Sequence, residues 1–332
     1  MTEAAHTHTH ADPETLMGLP LTNGKFAMWF FLITEIMFFT ALIGTYLIIR
    51  NSIPNHDVIK WPTPHQVHLS EPIGAINTFV LIASSLTVVL AHYAAERGNF
   101  RNATLFIGAT TALGLVFLII KYTEYKAKYD HDILPGHVGE LLPGMGLERE
   151  RAMHPVGMQY VERIREQLAH AVEHGTGKEV AQVTDADVEG ASEMTQRAWQ
   201  LRKRLDPVQV GKDAKGETTY TPPLTPAQVG EEVNKLLHEQ EEMVHKGELK
   251  KEELHLSPAI PYGNMWSSCY FAMTGFHALH VLGGIVIFVV ILVVGLMGKL
   301  AAQHTSMLEI VGLYWHFVDI VWIFLFPLLY LI

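Results

Sequence analysis

Two histidines stand three residues apart in an otherwise apolar stretch, FAMTGFHALHV, at positions 271–281. His277 and His280 would share one face of a helix, because residues three apart are neighbours on a helical surface. Imidazoles in this arrangement can hold a metal ion, relay a proton or hydrogen-bond to another buried polar group. A zinc site needs further ligands, and HALH lacks the glutamate that follows the first histidine in zinc-protease helices. The spacing therefore favours hydrogen bonding over metal binding.

A carboxyl group lies in the middle of a second apolar stretch, WFFLITEIMFFTALIGTYLIIR. Nothing in its own helix can neutralise Glu35, and an ionisable side chain in hydrocarbon costs at least about 2.5 kcal/mol. Glu35 must therefore lie in a cleft between helices or beside lipid headgroups, or act as a neutral interhelical hydrogen-bonding group. His277 and His280 are its candidate partners.

A further polar pair stands in the last apolar stretch, YWHFVDIVWIFLF. His316 and Asp319 are three residues apart, so they can meet on one helical face and lower the cost of burying each other. We interpret them as a structural polar pair, with a proton-carrying pair as the alternative.

All of these residues fall in long apolar runs, and about 20 residues of helix suffice to cross the hydrocarbon of a bilayer. The runs cover residues 26–49, 73–95, 102–120, 265–298 and 306–332. The predicted fold is an all-α, polytopic membrane bundle of five transmembrane helices. The predicted organisation is a disordered N-terminal tail without signal-peptide features (1–25), transmembrane helices 1–3 (26–122), an insertion (123–260) and transmembrane helices 4–5 (261–332).

Charge is concentrated in the predicted insertion. Residues 121–257 hold 25 acidic and 18 basic side chains, out of 34 and 24 in the whole chain. This distribution indicates a polar, mostly helical extramembrane insertion within a membrane protein. Because the insertion has few aromatic residues, we expect its core to be thin. The net charge of −10 argues against nucleic acid as a partner, and one cysteine excludes a disulfide framework.

Basic side chains near the ends of the runs bear on lipid and orientation. Arg50, His92 and Lys299 are candidate ligands for lipid headgroups. The short links rich in Lys and Arg favour a cytoplasmic N-terminus, which places the insertion and the C-terminus on the outer, periplasmic side of a bacterial inner (plasma) membrane.

The polar stretches also carry a family resemblance. TGFHALHVLGG followed by YWHFVDIVWIFLF resembles the C-terminal hairpin of cytochrome c oxidase subunit III, in the haem-copper oxidase superfamily. The likeness extends through WFFLITEIMFFTALIGTYLIIR, NTFVLIASSLTVVLAHY and LGLVFLIIKYTEY, so it covers all five spans in the family's order. It implies a non-catalytic, phospholipid-binding subunit that packs on subunit I, while haem and copper are bound by partner subunits and no metal or other cofactor by this chain.

The resemblance also suggests roles for three residues. Glu35 falls on the family's carbodiimide-reactive carboxyl, and His277 and His280 fall on its GFHGxHV motif, here with Ala278 in place of the usual glycine. In the family these groups line a lipid-filled cleft, and the subunit supports proton uptake and protects the enzyme from inactivation during turnover.

The chain departs from the family pattern in two ways. It lacks the first two helices of seven-span relatives, and it carries extra residues at about 136–258. We hypothesise that this insertion docks on oxidase subunit II, on cytochrome c or a cytochrome c domain, or on a respiratory supercomplex partner. The alternatives are the equivalent subunit of a quinol oxidase, a nitric oxide reductase-associated protein and an independent ion or metal carrier.

Overall fold

The computed structural model describes residues 22–52, 61–139, 155–206, 209–212, 218–220 and 224–331, so most of the predicted N-terminal tail lies outside the described residues. The helices in these ranges are α1 (Asn23–Ser52), α2 (Glu71–Glu96), α3 (Phe100–Asp130), α4 (Pro155–Thr176), α5 (Asp185–Glu189), α6 (Glu193–Leu205), α7 (Pro226–His245), α8 (Gly263–Leu296) and α9 (Thr305–Phe326). Five described helices are long and apolar enough to cross a membrane: α1, α2, α3, α8 and α9, the last with its flanking turns.

The predicted all-α fold class is confirmed, with two small additions. A short antiparallel hairpin, β1 (Gln209–Lys212) and β2 (Thr218–Tyr220), interrupts the helices of the insertion. The last spanning helix continues into a π-helical turn at Pro327–Leu331, since proline has no backbone N–H to continue the regular ladder.

The described part of the chain divides into two compact units, of which the first comprises residues 22–46, 72–120 and 273–328. In this unit, tryptophans of α9 donate hydrogen bonds to hydroxyl groups of α2. Trp315 Nε1 lies 2.9 Å from Ser84 Oγ, and Trp322 Nε1 lies 3.0 Å from Thr78 Oγ1. A buried indole N–H needs such a partner, and the small polar residues of α2 supply it without holding the helices apart.

Glycines of α8 set the close approach of α9. A Cβ atom at Gly284 would lie 2.7 Å from ring carbons of Trp315, whereas one at Gly283 would lie 3.5 Å from Tyr314 Oη. Only the first distance is incompatible with a side chain, so Gly284 is required for Trp315 to pack against α8.

The second unit comprises residues 47–71, 121–272 and 329–332 and contains the insertion. The expectation of a thin core is wrong, because aliphatic side chains at helical spacing on α4, α6 and α7 bury one another in place of aromatic residues. Fully buried members of this core are Ile164, Leu168, Val172, Met194, Ala198, Val229 and Val233.

The chain leaves and re-enters the insertion at one place in the second unit. Gly139 and Ala259 form a parallel β-bridge, in which Gly139 N donates to Pro258 O at 2.9 Å and Ile260 N donates to Gly139 O at 2.8 Å. The two ends of the insertion are therefore adjacent, and the described residues between them form a lobe that begins and ends at one place.

A hydrogen-bond network around Asp132 connects α4 to both ends of this lobe. The carboxylate of Asp132 accepts hydrogen bonds from Ser257 Oγ and from Gln167 Nε2, the latter at 3.0 Å. His137 Nδ1 lies 2.6 Å from the other oxygen of the same carboxylate, and Ser257 N donates to Gln167 Oε1 at 2.9 Å. Satisfied networks of this kind rigidify the elements that they join.

Candidate functional site

The structure brings Glu35 of α1 and His280 of α8 together inside the first unit. His280 Nε2 lies 3.0 Å from Glu35 Oε2, and the two side chains are 17% and 20% exposed. Phe38 and Phe276 pack edge to face beside the pair, with ring centroids 5.0 Å apart. The carboxyl group that the sequence leaves without a partner in its own helix is therefore paired with a neighbouring helix.

The hydrogen bond at His280 Nδ1 determines how the proton between His280 and Glu35 can be placed. His280 Nδ1 lies 2.7 Å from the Phe276 carbonyl oxygen, and because a carbonyl can only accept, Nδ1 must carry hydrogen. The contact with Glu35 is then either a carboxylic acid donating to a neutral imidazole or an imidazolium donating to a carboxylate. Both forms are neutral overall and differ only in the position of one proton, so the pair avoids the cost of an isolated charge in hydrocarbon.

His277 lies in different surroundings, although it is only three residues from His280. Its side chain is 1% exposed and stacks on Trp322 at 5.1 Å between centroids, with Phe117 edge-on at 5.6 Å. The structure therefore brings His280 to Glu35, and it places His277 in an aromatic cluster between α3, α8 and α9.

Among the described residues, His316 and Asp319 make no direct hydrogen bond or ion pair with each other, and their role as a structural polar pair stays a prediction. His316 Nδ1 lies 2.6 Å from Ser85 Oγ of α2, and Ser85 also neighbours Asp319. Within the described residues, Asp319 Oδ1 has no hydrogen-bond partner. Ser85 of the neighbouring helix α2 therefore takes the place of a direct bond between the two side chains.

The candidate headgroup ligands all stand near helix ends. Arg50 lies in the last turn of α1, and Lys299 is exposed in the link that follows α8. His92 Nε2 lies 3.8 Å from Glu96 Oε1, four residues further along α2. Their contact with lipid remains a prediction.

Sequence reasoning missed a buried ionic cluster in the second unit. Lys121 and Glu124 have the spacing of an ordinary surface ion pair, but their side chains are only 4% and 8% exposed, with Nζ and Oε1 2.7 Å apart. Lys121 Nζ also donates to Tyr270 Oη at 3.2 Å and to Tyr330 Oη at 3.1 Å. Both tyrosine hydroxyls in turn donate to Glu124, that of Tyr330 at 2.6 Å.

This cluster satisfies every charged group that it buries. Two opposite charges removed from water are tolerated only when further hydrogen bonds complete their coordination, and Tyr270 and Tyr330 supply those bonds. A signal was present in the sequence, since a tyrosine in an apolar run needs a polar partner for its hydroxyl group. The sequence does not reveal that tyrosines from two distant runs converge on one lysine.

A stacked histidine pair lies outside the spanning helices in the second unit. His68, whose φ of 51° is left-handed, stacks on His131 with ring centroids 3.9 Å apart, and Lys128 Nζ donates to the His68 carbonyl oxygen at 3.3 Å. Partial desolvation, then repulsion from His131 and Lys128, lowers the pKa of His68 to about 4. His68 is therefore neutral in the folded protein at neutral and mildly acidic pH.

The described part of the chain contains no group of side chains that could form a metal site. No three or more His, Cys, Asp or Glu side chains there are grouped closely enough to hold a metal ion. The prediction that this chain binds no metal remains a prediction.

Comparison with known proteins gives the family of the chain. A family model described as cytochrome c oxidase subunit III matches residues 5–133 and 249–332, well over half of the chain. The unmatched stretch between these ranges contains most of the insertion. The chain therefore belongs to the cytochrome c oxidase subunit III family, and with its five apolar helices it is a multi-pass membrane protein.

Individual relatives match shorter stretches. A probable cytochrome c oxidase subunit 3 from Mycobacterium tuberculosis is 44% identical over 75 residues, or 23% of this chain and 35% of the relative. Cytochrome c oxidase subunit 3 of Thermostichus vulcanus is 43% identical over 75 residues, or 21% and 35%. Heme-copper oxidase subunit I+III of Aeropyrum pernix is 29% identical over 108 residues, or 32% and 13%. The matches thus span about a third of the first two relatives and less of the third.

Proposed function

We propose that the chain is the non-catalytic subunit III of a proton-pumping haem-copper terminal oxidase in a bacterial inner membrane, where electrons pass from cytochrome c to oxygen. It packs on subunit I, and the haem and copper centres belong to its partner subunits. Family membership supports this assignment, and the Glu35–His280 contact is the single structural observation that carries it.

Packing on subunit I is supported by a relative and by the surface of the bundle. The name of the Aeropyrum pernix relative joins subunits I and III in one chain. In α1 of the present chain, large apolar side chains such as Trp29, Ile36 and Met37 are exposed. An apolar surface of this kind is covered by lipid or by another membrane subunit.

The Glu35–His280 pair suits a role beside proton uptake. It stores one proton that can reside on either side chain without creating net charge, and both side chains are partly exposed at the edge of the bundle. A phospholipid bound beside the pair, as the family resemblance implies, would keep water and detergent from it. The pair would thereby sustain proton delivery to subunit I and protect the enzyme during turnover.

The insertion is a self-contained lobe suited to docking. Residues 121–257 carry an excess of seven negative charges (25 acidic and 18 basic side chains), which favours a basic surface on the partner. We infer that the partner lies on the outer side of the membrane and is subunit II, a cytochrome c domain or a supercomplex component.

Because Gly139 and Ala259 are bridged, residues 140–257 can be replaced by a short Gly-Ser linker. The replacement should reduce cytochrome c turnover or remove a subunit from the purified complex; unaltered turnover and composition would contradict the docking role.

Purification of the tagged chain from its native membrane tests the main proposal. We expect co-purification with a subunit that contains a low-spin haem and a haem-copper centre, and with a copper-A-bearing subunit. Quinol oxidation without copper A would instead favour the quinol oxidase alternative, and nitric oxide reduction without oxygen reduction the nitric oxide reductase alternative. Isolation of the chain alone, active as a carrier, would contradict the proposal.

A further inference from the structure

An open apolar groove runs between α3 and α8 in the first unit, away from the Glu35–His280 pair. Its cavity volume is about 870 Å³, and its walls include Leu105, Gly108 and Ala112 of α3 together with Leu292 and Leu296 of α8. Leu292 is twelve residues beyond His280, or roughly 18 Å along the helix axis. The groove is therefore a separate feature of the bundle.

The length of the groove identifies the kind of molecule that fits it. Along α3 the wall extends from Arg101 to Ala112, which corresponds to roughly 16 Å at 1.5 Å per residue. The hydrocarbon core of a bilayer is about 30 Å thick, so the groove spans one leaflet. A lipid acyl chain extends through one leaflet, so its length matches the groove. A transmembrane helix of a partner would extend through both leaflets, and the groove is too short to follow it.

The mouth of the groove is basic. Arg101 lines it and is exposed, and its side chain makes no ion pair or hydrogen bond with any other described residue. Lys299 is also exposed and stands between Gly298 and Leu300, which both line the groove. An arginine guanidinium binds phosphate with two parallel hydrogen bonds, and basic side chains beside a membrane surface attract anionic lipid headgroups.

We propose that this groove binds one phospholipid, with an acyl chain lying between α3 and α8 and its phosphate at Arg101. The site would hold a structural lipid at the end of the bundle where the links 97–99 and 297–301 lie. It does not depend on the proposed role of Glu35, and its failure would leave that role intact.

Photo-crosslinking of the assembled complex tests which molecule occupies the groove. Benzoylphenylalanine is placed at Leu105, which lines the groove and is 69% exposed, and at the control position Val116, which is 42% exposed and outside the groove. After extensive detergent washing, mass spectrometry should show a phospholipid adduct at position 105 and much less at position 116. An adduct to another polypeptide at position 105, or equal lipid adducts at both positions, would overturn the proposal.

Two substitutions test the groove with a defined probe, spin-labelled phosphatidylglycerol. Ala112→Trp fills the groove from an exposed position and should abolish the immobilised lipid that the washed complex retains, whereas Val116→Trp should not. Arg101→Ala should weaken retention about fivefold, as expected for loss of one basic side chain at a lipid surface. Its control is Arg97→Ala, because Arg97 instead lies over the Tyr93 ring at 4.2 Å. Full retention by Ala112→Trp would refute the assignment.

Discussion

His280 Nε2 and Glu35 Oε2 lie 3.0 Å apart and connect the first spanning helix to the fourth. Because His280 Nδ1 already donates to the Phe276 carbonyl oxygen, the connection contains a single transferable proton. The pair therefore links helix packing to proton storage, and both properties can be measured separately.

The packing contribution of this contact should appear as energetic coupling between the two side chains. In a double-mutant cycle with Glu35→Leu and His280→Phe, we expect a coupling free energy of about 0.6–1.7 kcal/mol, from the average to the maximum measured for interhelical hydrogen bonds in a membrane protein. The measurement is unfolding of the chain in mixed micelles. The same cycle with His277→Phe should give coupling near zero, and equal coupling for both histidines would contradict the observed geometry.

The buried Lys121–Glu124 pair should be strongly sensitive to loss of one partner. Lys121→Met leaves a carboxylate buried without its counter-charge, and we expect the free energy of unfolding to fall by about 3–5 kcal/mol. The double variant Lys121→Met with Glu124→Gln should recover part of this loss.

The exposed pair Lys246 and Glu242, at 2.8 Å, provides the matched control. Lys246→Met should cost less than about 1 kcal/mol, since exposed ion pairs contribute little. A similar loss for both lysine variants would show that burial does not determine the effect.

Two adjacent glycines of α8 should respond differently to the same substitution. Gly284→Ala forces a methyl group into the Trp315 ring and should lower stability by about 1–3 kcal/mol. Gly283→Ala meets only ordinary van der Waals contact and should be neutral or slightly stabilising, because alanine favours helix. Thermal unfolding of the purified protein measures both, and equal effects would rule out the close packing of α9 on Gly284.

Acid should destabilise the second unit through His68. Its pKa is lowered in the folded state, so the unfolded chain binds a proton more readily, and stability should fall as the pH decreases from about 6.5 towards about 4. Hydrogen exchange of the second unit across this range measures the effect. His68→Asn, in which asparagine tolerates the positive φ, should flatten the pH dependence. An unchanged pH dependence in this variant would assign the acid sensitivity to other groups.

Much of the bundle could be predicted because the hydrocarbon constrains sequence so strongly. Apolar runs of sufficient length predicted the five spans, and the cost of burying Glu35 required a partner on another helix. Which histidine is that partner depends on how α8 is turned about its own axis, and in the structure His277 packs among aromatic side chains while His280 faces Glu35. Helical spacing alone treats His277 and His280 as equivalent.

Contacts between distant parts of the chain were the least predictable. Glu124 depends on Tyr270 and Tyr330, which are separated from it by 146 and 206 residues in sequence. His316 bonds to Ser85 in place of Asp319, because a neighbouring helix supplied a hydroxyl group. The core of the lobe was underestimated because its aliphatic residues are dispersed among charged ones.

The most direct measurement is the rate at which the assembled oxidase loses activity during sustained turnover when Glu35 is replaced by glutamine. Glu309→Gln is the matched control, since Glu309 is also a carboxyl group in a spanning helix but is paired with a lysine, Lys25 at 2.7 Å, and not with a histidine. We expect Glu35→Gln to inactivate faster than both the wild type and Glu309→Gln, because the pair can no longer move its proton between two side chains. Inactivation of Glu35→Gln at the wild-type rate would contradict a functional role for the pair.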